Sequence, residues 1–196
     1  MKKHRAVLAT VILQSLFLLS SAFGDDPQGK ERDVKILIEF LPEETKDWSP
    51  INDTVMGGVS TSTAEQASES TALFKGILSL ENNGGFASIR CRPQPFDLGN
   101  YHGVQIRVRG DGNKYRFRIR TDSDFDGPTY QCSFEATAET WSIHEFPFGD
   151  FFASSRGRPL DDHPPLDPAK IKSFGFLIAD KQERAFSLEI DWIRAY

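Results

Sequence analysis

The sequence predicts an all-β protein, folded as a two-sheet antiparallel sandwich, on three observations. Apolar and polar residues alternate along most of the chain, turn-forming clusters separate the alternating runs, and few segments could sustain a helix longer than two turns. Sixteen Phe and three Trp supply the interior that two facing sheets need, each such side chain contributing about 1.5–3 kcal/mol when fully buried.

At the N-terminus, Lys2, Lys3 and Arg5 precede an apolar run from Ala6 to Leu19, and the small residues Ala22 and Gly24 follow at cleavage spacing. Residues 1–24 therefore read as a secretory signal peptide, with an uncleaved anchor as the alternative. The run falls short of the roughly 20 apolar residues of a membrane span, so no transmembrane segment is expected after cleavage. Asp25 to Asp33, "DDPQGKERD", is polar without an apolar period and is expected to be a flexible tether, leaving 34–196 as a single domain. Loss of Lys2, Lys3 and Arg5 with the leader shifts the formal charge from −5 to about −8, a balance that disfavours nucleic-acid binding.

Ser60 to Thr71 is polar and expected to be a loop or an exposed edge. Val104, Ile106 and Val108 then alternate with Gln105, Arg107 and Arg109. "GDGN" at Gly110 to Asn113 supplies a turn, after which Tyr115, Phe117 and Ile119 alternate with Arg116, Arg118 and Arg120. This is the pattern of a β-hairpin with one wet face. Tyr130, Cys132 and Phe134 form a third run after the turn "DSDFDGP". Ser173 to Ala179, "SFGFLIA", is apolar on both faces and predicts a buried central strand; Phe186 to Tyr196 returns to alternation.

Several residues are candidates for function. Within "WSPINDTVMGGVS", Trp48 to Ser60, Asn52 and Asp53 could offer an amide and a carboxylate to a ligand beside the Gly57–Gly58 pair. The same residues could equally form a tight, self-bonded turn. The hairpin register gathers Arg107, Arg109, Arg116, Arg118 and Arg120 on one face, a set of planar donors suited to gripping carboxylates or phosphates, or else a solvated face paired with Glu135 and Glu139. "RGD" at Arg109 to Asp111 reads as a turn. Trp141, Phe146, Phe148, Phe151 and Phe152 could include an aromatic platform, with most of them expected in the core.

Cys91 and Cys132 both fall on the inward phase of their strands. They are candidates for a disulfide, or else two buried free thiols. No G-x-S-x-G, H-E-x-x-H, phosphate-binding glycine loop or C-x-x-C is present, and His102, His144 and His163 lack metal-ligand spacing, so no enzyme is expected.

"WSPINDTVMGGVS", "FKGILSLENNGGFASIR" at Phe74 to Arg90, "GVQIRVRGDGNKYRFRIRTD" at Gly103 to Asp122, "WSIHEFPFGDFFASSRGR" at Trp141 to Arg158 and "PLDPAKIKSFGFLIADKQERAFSLEIDWI" at Pro165 to Ile193 together resemble the complex I intermediate-associated protein 30 family. The resemblance implies a galactose-binding-like jelly roll. It also implies kinship with a mitochondrial factor that assists assembly of NADH:ubiquinone oxidoreductase. Since jelly-roll sugar-binding modules often hold a structural Ca²⁺ between their first and last strands, Glu39 and Asp191 become candidate ligands. The Sec-type leader, unlike an Arg-rich transit peptide, predicts an exported protein, periplasmic or secreted. The function expected on that basis is a non-catalytic module binding a glycan or another acidic envelope polymer. The alternative is a protein-interaction module of assembly-factor type, whose partner would be an envelope protein complex.

Overall fold

In the computed structural model, residues 34–124 and 126–196 are described; the expected leader and tether, 1–24 and 25–33, lie outside them. The strands are β1 Lys35–Glu39, β2 Trp48–Pro50, β3 Thr61–Gln66, β4 Ala72–Leu78, β5 Ala87–Cys91, β6 Gly103–Arg109, β7 Lys114–Arg120, β8 Thr129–Glu135, β9 Trp141–Pro147, β10 Phe152–Ser155, β11 Arg158–Pro159, β12 Ser173–Ile178 and β13 Arg184–Ala195. One sheet runs β3-β4-β13-β6-β9, with β1 also paired to β13; the other runs β11-β10-β8-β7-β12-β5-β2. All pairings between these strands are antiparallel.

The two sheets close on each other through the inward phase of each strand. Phe117 on β7 stacks on Phe174 of the neighbouring β12 at 5.7 Å and, across the interior, on Phe146 of β9 at 5.4 Å. Phe74 on β4 meets Tyr115 on β7 edge-on at 6.4 Å, joining the same sheets at the other end of the core. All five of these rings but Phe146 are completely inaccessible, and Phe146 is nearly so. Such offset and edge-to-face contacts add to the burial of the rings themselves.

Alternation located the strands but not the sheet each joins. The expected β6–β7 hairpin does not form: β6 pairs with β9 and β13, while β7 pairs with β8 and β12 in the opposite sheet. The "GDGN" connection crosses between the sheets, held by the Asp111 carboxylate, which accepts from Asn113 N–H (3.0 Å), Tyr115 O–H (3.1 Å) and Ser187 N–H (2.8 Å). Both strands point their apolar phase into one shared core, so their arginines emerge on opposite surfaces of the sandwich.

The disulfide is also corrected. Cys91 on β5 and Cys132 on β8 are free, buried thiols in one sheet with β12 and β7 between them, a separation of about 14 Å at normal strand spacing. A bridge needs Cα atoms within about 7 Å. Burial pushes the Cys91 thiol up to about 11 and the Cys132 thiol up to about 12. Cys91 Sγ accepts from Phe174 N–H, and Cys132 donates to the Asp150 carbonyl.

Candidate functional site

Arg107 and Arg109, on β6, are spoken for. Arg107 pairs with Asp191 and Arg109 with Glu189, both on β13, and the two guanidiniums flank the Trp141 ring at 4.6 and 5.1 Å. Asp191, expected with Glu39 as a Ca²⁺ ligand, is here the partner of Arg107. Among the described residues no three His, Cys, Asp or Glu side chains converge on a point that could hold a metal ion, and Glu39 stands exposed on β1.

Arg116, Arg118 and Arg120 sit on the outer surface of the seven-stranded sheet, where they are joined by Arg90 from β5. Register explains the gathering. A row across the sheet reads Arg90, Gly175, Arg118, Gln131 and Phe152, so the residue between the two arginines has no side chain to separate them. The next rows place Ser88, Leu177 and Arg116 on one side and Ser173 and Arg120 on the other. Of these outward-facing residues, Ser88, Arg90, Arg116, Arg118, Arg120, Gln131 and Leu177 line a groove of about 680 Å³, within the range of small-ligand sites. Its depth is evident from Ser88, Thr129, Gln131, Ser154 and Ser173, which are buried although they face away from the core.

The electrostatics of the groove centre on Arg118. Arg116 pairs with Asp180, and Arg120 with Asp122 at 3.0 Å and with the Asp124 carbonyl. Arg118 has neither an ion pair nor a hydrogen-bond partner for its buried Nε among the described residues. Burial, reinforced by repulsion from Arg90, Arg120 and Arg116, holds its pKa well below the usual guanidinium range, at about 10. Arg90 is shifted in the same direction, first by burial and then by Arg120.

Asn52 and Asp53 serve the groove's wall. Asp53 is 1 % exposed and its carboxylate accepts from Ser60 N–H (2.9 Å), Ser60 O–H (2.6 Å), Gly85 N–H (2.7 Å) and Phe86 N–H (3.3 Å). Burial opposes ionisation, but these bonds outweigh it and leave the carboxyl below its usual range. Asn52 Oδ1 accepts from Ser62 O–H (2.7 Å) and Ser88 N–H (3.3 Å). A Cβ at Gly58 or Gly84 would overlap the Asp53 carboxyl, and Gly57 takes a left-handed φ of 91°. The self-bonded turn is the arrangement found. It ties 53–60 to 84–86 and presents Val55 and Met56, 61 and 67 % exposed, at the groove's edge.

Of the aromatic residues considered as a platform, Phe146, Phe148 and Phe151 are core; Phe152 is exposed and ends the Arg90 to Phe152 row. Arg156, in a left-handed turn with Gly157, also lines the groove. Arg90, Ser173 and Gly175 escaped sequence reasoning. The alternation in "FASIRC" carried the signal for Arg90, since Ala87, Ile89 and Cys91 share one phase and Ser88 and Arg90 the other.

The family described as complex I intermediate-associated protein 30 matches residues 38–190. A mouse (Mus musculus) protein named complex I intermediate-associated protein 30, mitochondrial, is 30% identical over 184 residues, covering 83% of this chain and 56% of its own. The Drosophila melanogaster protein of that name is 28% identical, covering 82% of this chain and 62% of its own. The match thus spans little more than half of these relatives. Among solved structures, a family 11 carbohydrate-binding module from Clostridium thermocellum, in complex with a β-1,3-1,4-mixed-linked tetrasaccharide, superposes with a TM-score of 0.66 at 18% identity, over 84% of this chain and 95% of the module. At that identity the likeness establishes the jelly-roll fold alone. The relatives' names overturn the exported, periplasmic or secreted location expected from the leader: the mouse and fly proteins, and a Caenorhabditis elegans relative, are named as mitochondrial. Among the described residues no helix is long and apolar enough to cross a membrane.

Proposed function

Because this chain belongs to the complex I intermediate-associated protein 30 family, we propose that it is a non-catalytic protein-interaction module of assembly-factor type, holding its partner in the arginine groove of the seven-stranded sheet. The observation that carries this reading is the concentration of positive charge. A chain of net charge −5 lines one groove with Arg90, Arg116, Arg118, Arg120 and Arg156 against Asp53, Asp126 and Asp180. Asp122 engages Arg120 from behind, and Asp53 is committed to the wall. The centre of the groove therefore favours a partner surface that carries anionic groups.

A non-catalytic role is supported by the groove's chemistry, since among the described residues its lining holds no His, Cys or Glu and its one fully buried carboxylate is saturated with hydrogen bonds. A carbohydrate ligand has the fold in its favour; among the described residues Phe86 is the one aromatic ring lining the groove, a small platform for a neutral sugar.

The test is recovery of the tagged full chain from its host under mild conditions, followed by crosslinking. Stoichiometric co-purification of a protein complex, with crosslinks at the groove and loss on Arg118→Glu, is expected. Repeated recovery of the chain alone, together with saturable glycan binding on an array, would sink the docking reading.

A further inference from the structure

Beneath the arginines lies a second, much smaller cavity of about 10 Å³, lined by Ser88, Arg90, Arg118, Arg120, Thr129 and Ser173 among others. That is room for about one oxygen atom. The buried polar atoms of this lining that have no hydrogen-bond partner include Arg118 Nε and Ser173 Oγ. Leaving such groups unsatisfied is costly, more so when they are charged, so their meeting beside one oxygen-sized space marks a place prepared for an acceptor.

We infer that Arg118 seats a tetrahedral oxyanion, the phosphate group of a phosphorylated ligand, with one oxygen entering the space between Arg118 Nε and Ser173 Oγ and the others facing Arg90 and Arg120. Three features select this chemistry. Guanidiniums approach from β5 and β7 on both sides of Gly175, surrounding a point, whereas a planar carboxylate is satisfied by a single fork. Asp180 and Asp122 sit on Arg116 and Arg120, while Arg118 has no ion pair among the described residues, so its charge is there for an anion to neutralise. Arginine is also the side chain whose rigid donors fit phosphate oxygens. The lowered pKa of Arg118 accords with a charge awaiting its counter-ion.

The rest of the ligand is constrained as well. Val55, Met56, Phe86 and Leu177 give the groove an apolar side beside the arginines, so the phosphate belongs to an organic body rather than standing alone. Burying half of a phenyl ring there is worth on the order of tenfold in affinity.

This inference rests on the groove identified under the proposed function but is tested apart from it. The full chain is titrated calorimetrically at constant ionic strength with inorganic phosphate, phenyl phosphate and acetate. Saturable one-site binding of phosphate is expected, about tenfold tighter for phenyl phosphate and absent for acetate. Arg118→Met should weaken phosphate at least roughly 30-fold and Arg118→Lys, which keeps the charge but loses Nε, roughly tenfold. Ser173→Ala should weaken it several-fold, and Arg107→Met, on the opposite surface, should leave it unchanged. Circular dichroism of each variant confirms folding. Acetate binding as well as phosphate, non-saturating heats, or unchanged affinity in a folded Arg118→Met would overturn the site. Phosphate binding without any recovered partner supports this site and removes the docking reading; a recovered partner without phosphate binding does the reverse.

Discussion

Replacing Arg118 with Met should make the unliganded protein more stable. The guanidinium bears desolvation and repulsion from Arg90, Arg120 and Arg116 without a carboxylate of its own, and its pKa falls well below the usual guanidinium range, to about 10. For a base, a depressed folded-state value means that the folded protein binds the proton less tightly than the unfolded chain. Below both values each state is charged, so at pH 7 the folded state bears the whole penalty, which is relieved only above about pH 10. At 1.36 kcal/mol per tenfold change in proton affinity this is about 3 kcal/mol, and relaxation around the groove reduces it to roughly 1–3 kcal/mol. Replacement of even a paired buried charge cluster by packed apolar side chains of similar volume is often neutral or stabilising by about 1–4 kcal/mol, and Arg118 lacks a pair to lose. For a domain of this size the melting midpoint should rise by about 3–10 °C. The assay is thermal denaturation followed by circular dichroism at pH 7 in low-salt, phosphate-free buffer. A midpoint lowered by several degrees would show that Arg118 braces the sheet, and the reasoning about an uncompensated charge would fail.

Asp53→Asn should destabilise by about 2–4 kcal/mol, because four donors lose a charged acceptor; chemical denaturation measures it. Since the Asp53 carboxyl lies below its usual value, its contribution is complete above about pH 4 and is lost as pH falls through the folded value, so the variant should show a flatter decline in stability over that acid range. Gly58→Ala should cost more than about 2 kcal/mol by forcing the Asp53 carboxyl aside, readable as a lowered melting midpoint. Reductant should leave the melting midpoint unchanged, and both thiols should react with a thiol reagent only slowly until denaturant is added, because Cys91 and Cys132 are separate, buried and raised to about 11 and about 12.

Period-two alternation reports which face of a strand meets the core, and it placed Tyr115, Phe117 and Ile119 inside and Arg116, Arg118 and Arg120 outside. It does not report which sheet a strand joins. In a sandwich the two inner faces share one interior, so a four-residue link that crosses the core edge leaves the same imprint as a hairpin turn. That degeneracy merged Arg107 and Arg109 with the β7 arginines and put Cys91 within imagined reach of Cys132. Arg90 was legible in phase but not in position, because its nearness to Arg118 depends on β12 lying between β5 and β7 with Gly175 at the crossing. Such long-range pairing is set by the assembled core rather than by any local pattern.

The same distinction explains how "WSPINDTVMGGVS" can identify a family without displaying reactive groups. Trp48 is buried against Phe40 and Phe176, with ring centroids 5.2 and 5.8 Å away, which fixes the start of the segment to the core. Asn52, Asp53, Gly57, Gly58 and Ser60 are then consumed in a loop in which the Asn52, Asp53 and Ser60 side chains bond inward. Its exposed surface includes Val55 and Met56, apolar and lining the groove. A segment built this way supplies a wall of constant shape, while charge and recognition come from β5, β7 and β12, whose outward residues can change without disturbing the core. Family membership therefore attaches most firmly to the frame of the groove, and in the proposed reading the ligand would be met by Arg90 and Arg118 in its lining and by Ser173 in the small cavity.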